Sequence, residues 1–348
     1  SPPGCEPVAI PSVVVASECP TLLLEPTKTN QTTYSEDLSN TSYWNNVIGA
    51  SVLTNEGVAP DGTNTANKVK ADSGSNYKII RKGAFSIPSG TTMSMFVKKG
   101  NHDYIIFKAQ GDYGFNLSTL EWQSNYANVG YELYPNGWVR LYATTTSTLT
   151  SYFGIYLANS SFGQFWNSTG DEFVYAWGAQ YETGEYATSY IPTEGSAEVR
   201  NVDTANVANL SGMPTDYPLT VFWEGEVELI DSNQAMFSIP KDGSAVDYLK
   251  VSWANTGYIQ VERRRTTQDI DSITYSIAVG DNKKVAISFT SATTYKIYID
   301  GALLRDETSG TNLSWDFDSV VIGTTRVTSD TGFRNSCKDF ALFNEALS

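Results

Sequence analysis

The stretch Thr294-Tyr295-Lys296-Ile297-Tyr298-Ile299-Asp300-Gly301 decides the fold class. Successive side chains of a strand point to opposite faces, so Tyr295, Ile297 and Ile299 share one face and Thr294, Lys296 and Tyr298 the other. Asp-Gly then breaks the alternation with the residue pair that tolerates the left-handed backbone of a tight hairpin turn. A second alternating run follows, beginning Ala302-Leu303-Leu304. The reading is an antiparallel hairpin with one face buried.

The same grammar extends in both directions. Towards the N-terminus it predicts strands at Leu219–Leu229, Ala235–Ile239, Tyr248–Trp253, Tyr258–Arg263 and Lys283–Ser288, and beyond the hairpin at Ser319–Ile322. In the first half it predicts Ala66–Lys70, Thr92–Lys98, Tyr104–Lys108, Trp138–Ala143, Tyr152–Leu157 and Glu172–Tyr181, with turns at Asp61-Gly62, Ser89-Gly90, Asn136-Gly137 and Thr169-Gly170-Asp171. No segment sustains a helical period, although Ser35–Ser39 suits one turn of helix. Many short strands at even spacing predict an all-β chain of two tandem β-sandwich (jelly-roll) domains. Five prolines stiffen residues 1–21 into an extended arm. The domains are expected at 22–195 and 196–348, joined by a linker within Ile191–Asn206, where Pro192 and Gly195 fall and large apolar residues are few.

With 348 residues and 41% hydrophobic composition, the chain is long enough and apolar enough for two cores. A net charge of −15 argues against a nucleic-acid partner, which needs a basic face. No apolar run reaches the roughly 18 residues that would insert in a membrane. The chain begins at Ser1 rather than Met and is read as part of something longer. Cys5, Cys19 and Cys337 match no zinc spacing; Cys5 and Cys19 either close a loop in the arm or stay thiols. The single histidine, His102, rules out a histidine-based metal cluster, and beside Asp103 it is read as part of a turn rather than of a triad.

The first half resembles the carbohydrate-binding-like jelly-roll module of phage fibres and head spikes. The stretches that carry the likeness are Leu22–Asn30, Tyr34-Ser35-Glu36-Asp37, Ala59-Pro60-Asp61-Gly62-Thr63, Phe96–Gly100, Asn136-Gly137-Trp138-Val139-Arg140, Trp177-Gly178-Ala179-Gln180-Tyr181-Glu182 and Thr188–Thr193. The second half is similar to concanavalin A-like (laminin-G-type) sandwiches in the order Lys283–Ser288, Tyr295–Gly301, Val321-Ile322-Gly323 and Lys338–Ser348. The first resemblance implies adhesion or decoration on a virion surface. The second implies glycan or protein binding, in a family that includes some glycanases. Together they imply an extracellular homo-oligomer, most simply a trimer, contacting other virion proteins. Both families often hold a structural calcium, for which Asp37, Asp171 and Glu172 are candidate ligands.

Aromatic residues make up 13% of the chain. A sugar offers an apolar ring face and a hydroxyl edge, which flat rings flanked by polar side chains suit. The candidates are Trp122, Tyr126 and Tyr131 in the polar segment Glu121–Glu132; Trp166 beside Phe165; Trp253, Tyr258 and Arg263; and Trp315 beside Asp316 and Asp318. The alternative for each is a place in the core or a subunit contact, and Trp138 and Trp177 are read as core. Glu224, Glu226 and Glu228 alternate on one strand, the geometry of a solvated face more than of a glycanase pair, which needs acids facing each other across a cleft. The leading expectation is therefore a non-catalytic, glycan-binding surface protein. A purely structural virion role and a glycan-degrading enzyme are the alternatives.

Overall fold

The computed structural model describes residues 22–201, 203, 205–208, 216–227, 234–240, 248–254, 258–264, 268–275, 277–278, 280–308, 319–322 and 335–346. The arm, Cys5, Cys19, Glu228 and Trp315 lie outside the described residues. Strands dominate, with no α-helix among the described residues. Ser35–Ser39 forms no helix, because the Asp37 carboxylate accepts the Ser39 backbone N–H at 3.0 Å and its hydroxyl at 2.5 Å, an Asx turn that competes with helical bonding.

The chain divides into two units, Lys28–Arg200 and a second formed by Ser1–Thr27 with Asn201–Ser348. These limits differ from the 22–195 and 196–348 expected. Leu22–Leu24 pairs with Asn335–Phe343, in the second unit. Most of the stretch read as a linker, Ile191–Arg200, is built into the first: Ile191 and Thr193 are buried, and Glu198–Arg200 pairs with Lys28–Asn30, while Ala205 and Asn206 open a strand of the second. Entry and exit of the first unit thus run side by side. Beyond them the Glu25 N–H donates to the Asp203 carboxylate at 3.0 Å and the Asp203 N–H to the Glu25 carbonyl at 2.9 Å.

The first unit stacks two six-stranded antiparallel sheets. The front sheet runs Glu121–Trp122, Asp112–Asn116, Tyr104–Lys108, Leu149–Leu157, Ile79–Ile87, Asn46–Ile48. The back sheet runs Val129–Tyr134, Trp138–Thr144, Thr91–Lys99, Phe173–Thr183, Ala66–Ala71, Ala50–Gly57. Val69, Met95, Val97, Phe107, Phe153, Ile155 and Val174 lie in the core that the two sheets share. A second cluster, Phe96, Trp138 and Trp177 with Tyr134, Tyr175 and Tyr190, forms on the other side of the back sheet, which is why Thr91–Val97 is buried without alternation. Loops cap this side: the Trp138 indole donates to the Val58 carbonyl at 3.0 Å, and the Trp177 indole to the Thr65 hydroxyl at 2.9 Å. At Gly178 (φ 61°) the register shifts, and a Cβ there would meet the Phe96 ring at 2.9 Å.

Polar motif residues are buried in the same unit. Glu182, fully buried, accepts from the Thr188 N–H (2.9 Å), the Thr188 hydroxyl (2.7 Å) and the Gln180 amide (2.7 Å). Buried Arg140 donates to the Thr188 carbonyl at 2.6 Å and to Ser94 at 2.9 Å, and buried Asn30 donates to the carbonyls of Ala179 (3.1 Å) and Ile191 (2.8 Å). Burying such groups costs little only when each is answered, and here they fasten the chain's return onto the back sheet.

The second unit also contains two six-stranded antiparallel sheets. One holds Leu22–Leu24, Asn335–Phe343, Leu219–Glu226, Asn282–Phe289, Thr294–Ile299 and Ala302–Thr308. The other holds Ala205–Ala208, Ser319–Ile322, Gln234–Pro240, Tyr248–Ala254, Tyr258–Arg264 and Gln268–Thr274. Asp300 (φ 51°) and Gly301 (φ 81°) make the expected turn, and Tyr295, Ile297 and Ile299 enter the core with Trp223 and Trp253.

Candidate functional site

The outward face of the front sheet is read off the strand register. Asn46 stands beside Arg81, Arg81 beside Gly154, Gly154 beside Lys108 and Lys108 beside Asp112, a polar row across five strands. One step along lies an apolar row of Ile48, Ile79, Tyr156, Ile106 and Gly114. The buried members of that row cluster apart from the sandwich core. Tyr152, two residues before Gly154 on the same strand, faces the same side, opposite a one-residue irregularity in Ile79–Ile87. The Arg81 guanidinium stacks on Tyr152 at 3.7 Å, and the Lys108 ammonium stands 5.8 Å from the same ring.

Each charged group of the row is held in place. Arg81 Nε donates to Asn46 Oδ1 at 3.2 Å and Nη1 donates to the Tyr156 hydroxyl. Burial pushes the Tyr156 phenol up to about 12, with Arg81 opposing, so it stays neutral and accepts from the cation. Lys108 pairs with Asp112 at 2.8 Å, and Gln164 donates to the second oxygen of Asp112 at 2.9 Å. Gly154 is required under this row: a Cβ would meet the Ile80 carbonyl oxygen at 2.2 Å. The neighbouring strand approaches closely at this point, with Arg81 Cα 2.5 Å and Arg81 Cβ 2.6 Å from where that Cβ would stand. An aromatic ring, two fixed cations, a carboxylate and two amides on one face can together stack and hydrogen-bond a polyhydroxylated ligand.

A separate cavity of about 1190 Å³ opens on the same unit, lined among others by Tyr34, Glu36, Asp37, Asn67, Tyr190 and Glu194. Partial burial raises Glu36 above the ordinary carboxylate range; the Tyr190 hydroxyl, donating at 3.2 Å, opposes this, and Asp61 and Glu194 reinforce it. Its walls are rich in acceptors and suit ligands that donate hydrogen bonds.

The sequence candidates are placed as follows. Trp122, Tyr126 and Tyr131 do come together, around Tyr113 and Phe115: Trp122 lies 4.8 Å from Phe115 and 6.2 Å from Tyr126, and Tyr131 lies 5.4 Å from Phe115. Trp122 and Tyr126 are partly packed on the core, whereas Tyr131 is exposed. Trp166 is a strut: it stacks on His102 (5.4 Å, 6°), and its indole donates to the Leu157 carbonyl at 3.0 Å. Its neighbour Phe165 is 58% exposed, edge-on to exposed Tyr77. Two readings are corrected. Trp253 is fully buried against Trp223, and Arg263 is buried with its guanidinium 3.9 Å over Tyr295 and bonded to that hydroxyl at 2.9 Å. Both point into the second core, where no sugar reaches them. Tyr258 is partly exposed at a hairpin end, and Trp315 lies outside the described residues.

His102 and Asp103 form no triad: the ring meets the Ala158 carbonyl at 2.8 Å, while Asp103 pairs with Lys99 at 2.7 Å and accepts from Ser118 at 2.8 Å. Glu224 and Glu226 lie on the non-core side of their strand, with Lys284 3.4 Å from Glu224. Among the described residues, no three His, Cys, Asp or Glu side chains gather to hold a metal. Glu172 instead closes its own turn. Burial would raise its carboxyl, but the backbone N–H groups of Thr169 (3.0 Å), Glu172 itself and Gly170 (3.1 Å), with the Thr169 hydroxyl, overcome this and hold it at about 2; the Asp171 N–H also donates, at 3.2 Å.

No family model matches the chain, and no curated protein matches it. Among solved structures it is similar to the NanB sialidase of Streptococcus pneumoniae (21% identity, 41% of this chain and 25% of that chain, TM-score 0.35). It is also similar to the Ruminococcus gnavus IT-sialidase CBM40 bound to α2,3-sialyllactose (16% identity, 39% and 80% covered, TM-score 0.35). A third is the heptameric SAP-like pentraxin of Limulus polyphemus (14% identity, 41% and 71% covered, TM-score 0.33). The chain spans a quarter of the length of the sialidase.

Proposed function

We propose that the Lys28–Arg200 unit binds glycans on the outward face of its front sheet, as part of a non-catalytic protein displayed on a virion as a fibre or head decoration. The observation that carries the binding role is the Tyr152 ring set among Arg81, Lys108, Asp112 and Gln164 on a sheet surface. The virion setting is supported by the motif stretches of the first half and by the proline-rich arm. Calorimetric titration of the full chain with oligosaccharides tests the binding role. Tyr152→Ala is expected to weaken binding about tenfold, roughly 1.4 kcal/mol. Binding unchanged by that substitution removes this face from the reading.

A second reading, assembly contacts in a trimer, is favoured by apolar side chains left open at sheet margins. Leu133 on the edge strand Val129–Tyr134 is 64% exposed, and Phe165 and Tyr77 are open beside each other. Sedimentation of the full chain separates the two: a monomer that binds sugar supports binding alone.

A further inference from the structure

We infer that the Arg81 guanidinium, held beside Tyr152 on the outward face of the front sheet, takes the carboxylate of an acidic saccharide. The inference deepens the glycan-binding reading and rests on it. Arg81 and Lys108 flank Gly154 on adjacent strands, so their backbones stand about 10 Å apart, twice the ordinary strand spacing. Gly154 puts no side chain between them, and the Tyr152 ring of the same strand stands 3.7 Å from the Arg81 guanidinium and 5.8 Å from the Lys108 ammonium.

Arg81 is a prepared donor. Asn46 and Tyr156 take Nε and Nη1 and fix the plane of the guanidinium, and Tyr152 supports it from one side. Nη2 meets no acceptor among the described residues, and their ion pairs leave Arg81 out, although the chain carries 38 acidic residues against 23 basic ones. A planar fork held this way suits a carboxylate better than a hydroxyl. Lys108 is already answered by Asp112, so the face offers room for a single added negative charge. The net charge of −15 disfavours a densely charged polymer, which points to an isolated uronate within a largely neutral glycan. Its sugar ring would lie on Tyr152 while its carboxylate meets Arg81.

The test uses the full chain on a panel of uronate-bearing, sulfated and neutral oligosaccharides, with titration of a glucuronate-containing oligosaccharide and its carboxyl-reduced counterpart. Preference for the carboxylate of at least tenfold is expected. Arg81→Gln should abolish that preference, so that acidic and reduced sugars bind alike, and Arg81→Lys should keep part of it. Asp112→Asn, at an exposed position, should tighten uronate binding severalfold, which keeps the inference testable if Arg81→Gln fails to fold. Equal binding of acidic and reduced sugars, stronger binding of sulfated ones, or a preference indifferent to both Arg81→Gln and Asp112→Asn overturns it. Neutral sugars that bind and are lost only in Tyr152→Ala overturn this inference and leave the glycan reading standing. Absence of binding to every sugar overturns both.

Discussion

Glu172 and Glu36 are carboxylates of opposite linkage within one unit. Glu172 is held at about 2 against an ordinary 4.5, so its ionised form is the one the fold prefers. The stability it contributes is complete above pH 4.5 and disappears as the pH falls towards 2. Glu172→Gln is expected to cost about 1–2 kcal/mol at pH 7 and progressively less as the pH falls through about 2, measured by urea unfolding across that range. Glu36 is raised, so the folded chain prefers it protonated. Its effect is most favourable below pH 4.5 and declines as the pH rises through its folded value. Glu36→Gln is therefore expected to stabilise the unit at pH 7 and to flatten the pH dependence of unfolding above 4.5; equal destabilisation at every pH would contradict this. The buried motif residues obey a harsher rule. Glu182→Ala leaves the Thr188 and Gln180 donors unanswered and is expected to cost about 3–5 kcal/mol, read from denaturant midpoints.

At the scale of strands and turns, alternation was a reliable guide. Tyr104–Lys108, Thr294–Ile299 and Ser319–Ile322 form as read, and the Asp300-Gly301 hairpin turns where expected. Trp138 and Trp177 are core, as their strand positions implied. Register was not legible. Lys108 and Asp112 are hairpin neighbours, but Arg81 and Lys108 share a face only because three strands distant in sequence align at Gly154, and Ile79–Ile87 carries Gly83 and two basic residues that mask its pattern. The surviving local signal was Gly154 itself, a glycine inside an otherwise bulky strand, which marks a close backbone approach. Gly154→Ala is expected to destabilise the unit by more than about 2 kcal/mol and to abolish sugar binding, because the added methyl meets the neighbouring carbonyl. Burial was equally hidden for Trp253 and Arg263: an aromatic beside an arginine reads alike whether it faces water or Tyr295. Leu133→Lys tests the edge strand, and under the assembly reading it should lower the oligomeric state seen in sedimentation.

At the scale of the chain, the limits of the two units fell where sequence punctuation gave no hint. Pro192 and Gly195 resemble a linker, yet Tyr34 bridges to Glu194 and the Gly195 N–H donates to the Thr33 carbonyl at 2.6 Å, so the chain there is still completing the first sandwich. Leu22–Leu24 reads as the start of that sandwich and is instead an outer strand of the other, a pairing across more than 300 residues that composition cannot reveal.

That the polypeptide enters and leaves the Lys28–Arg200 unit through neighbouring strands makes it a cassette rather than a link in series. Joining Thr27 directly to Asn201 through a few glycines should yield a host sandwich that still folds cooperatively, while the excised cassette should fold alone. Replacement of the cassette by another module with adjacent ends would then change what is recognised without disturbing the body that carries it.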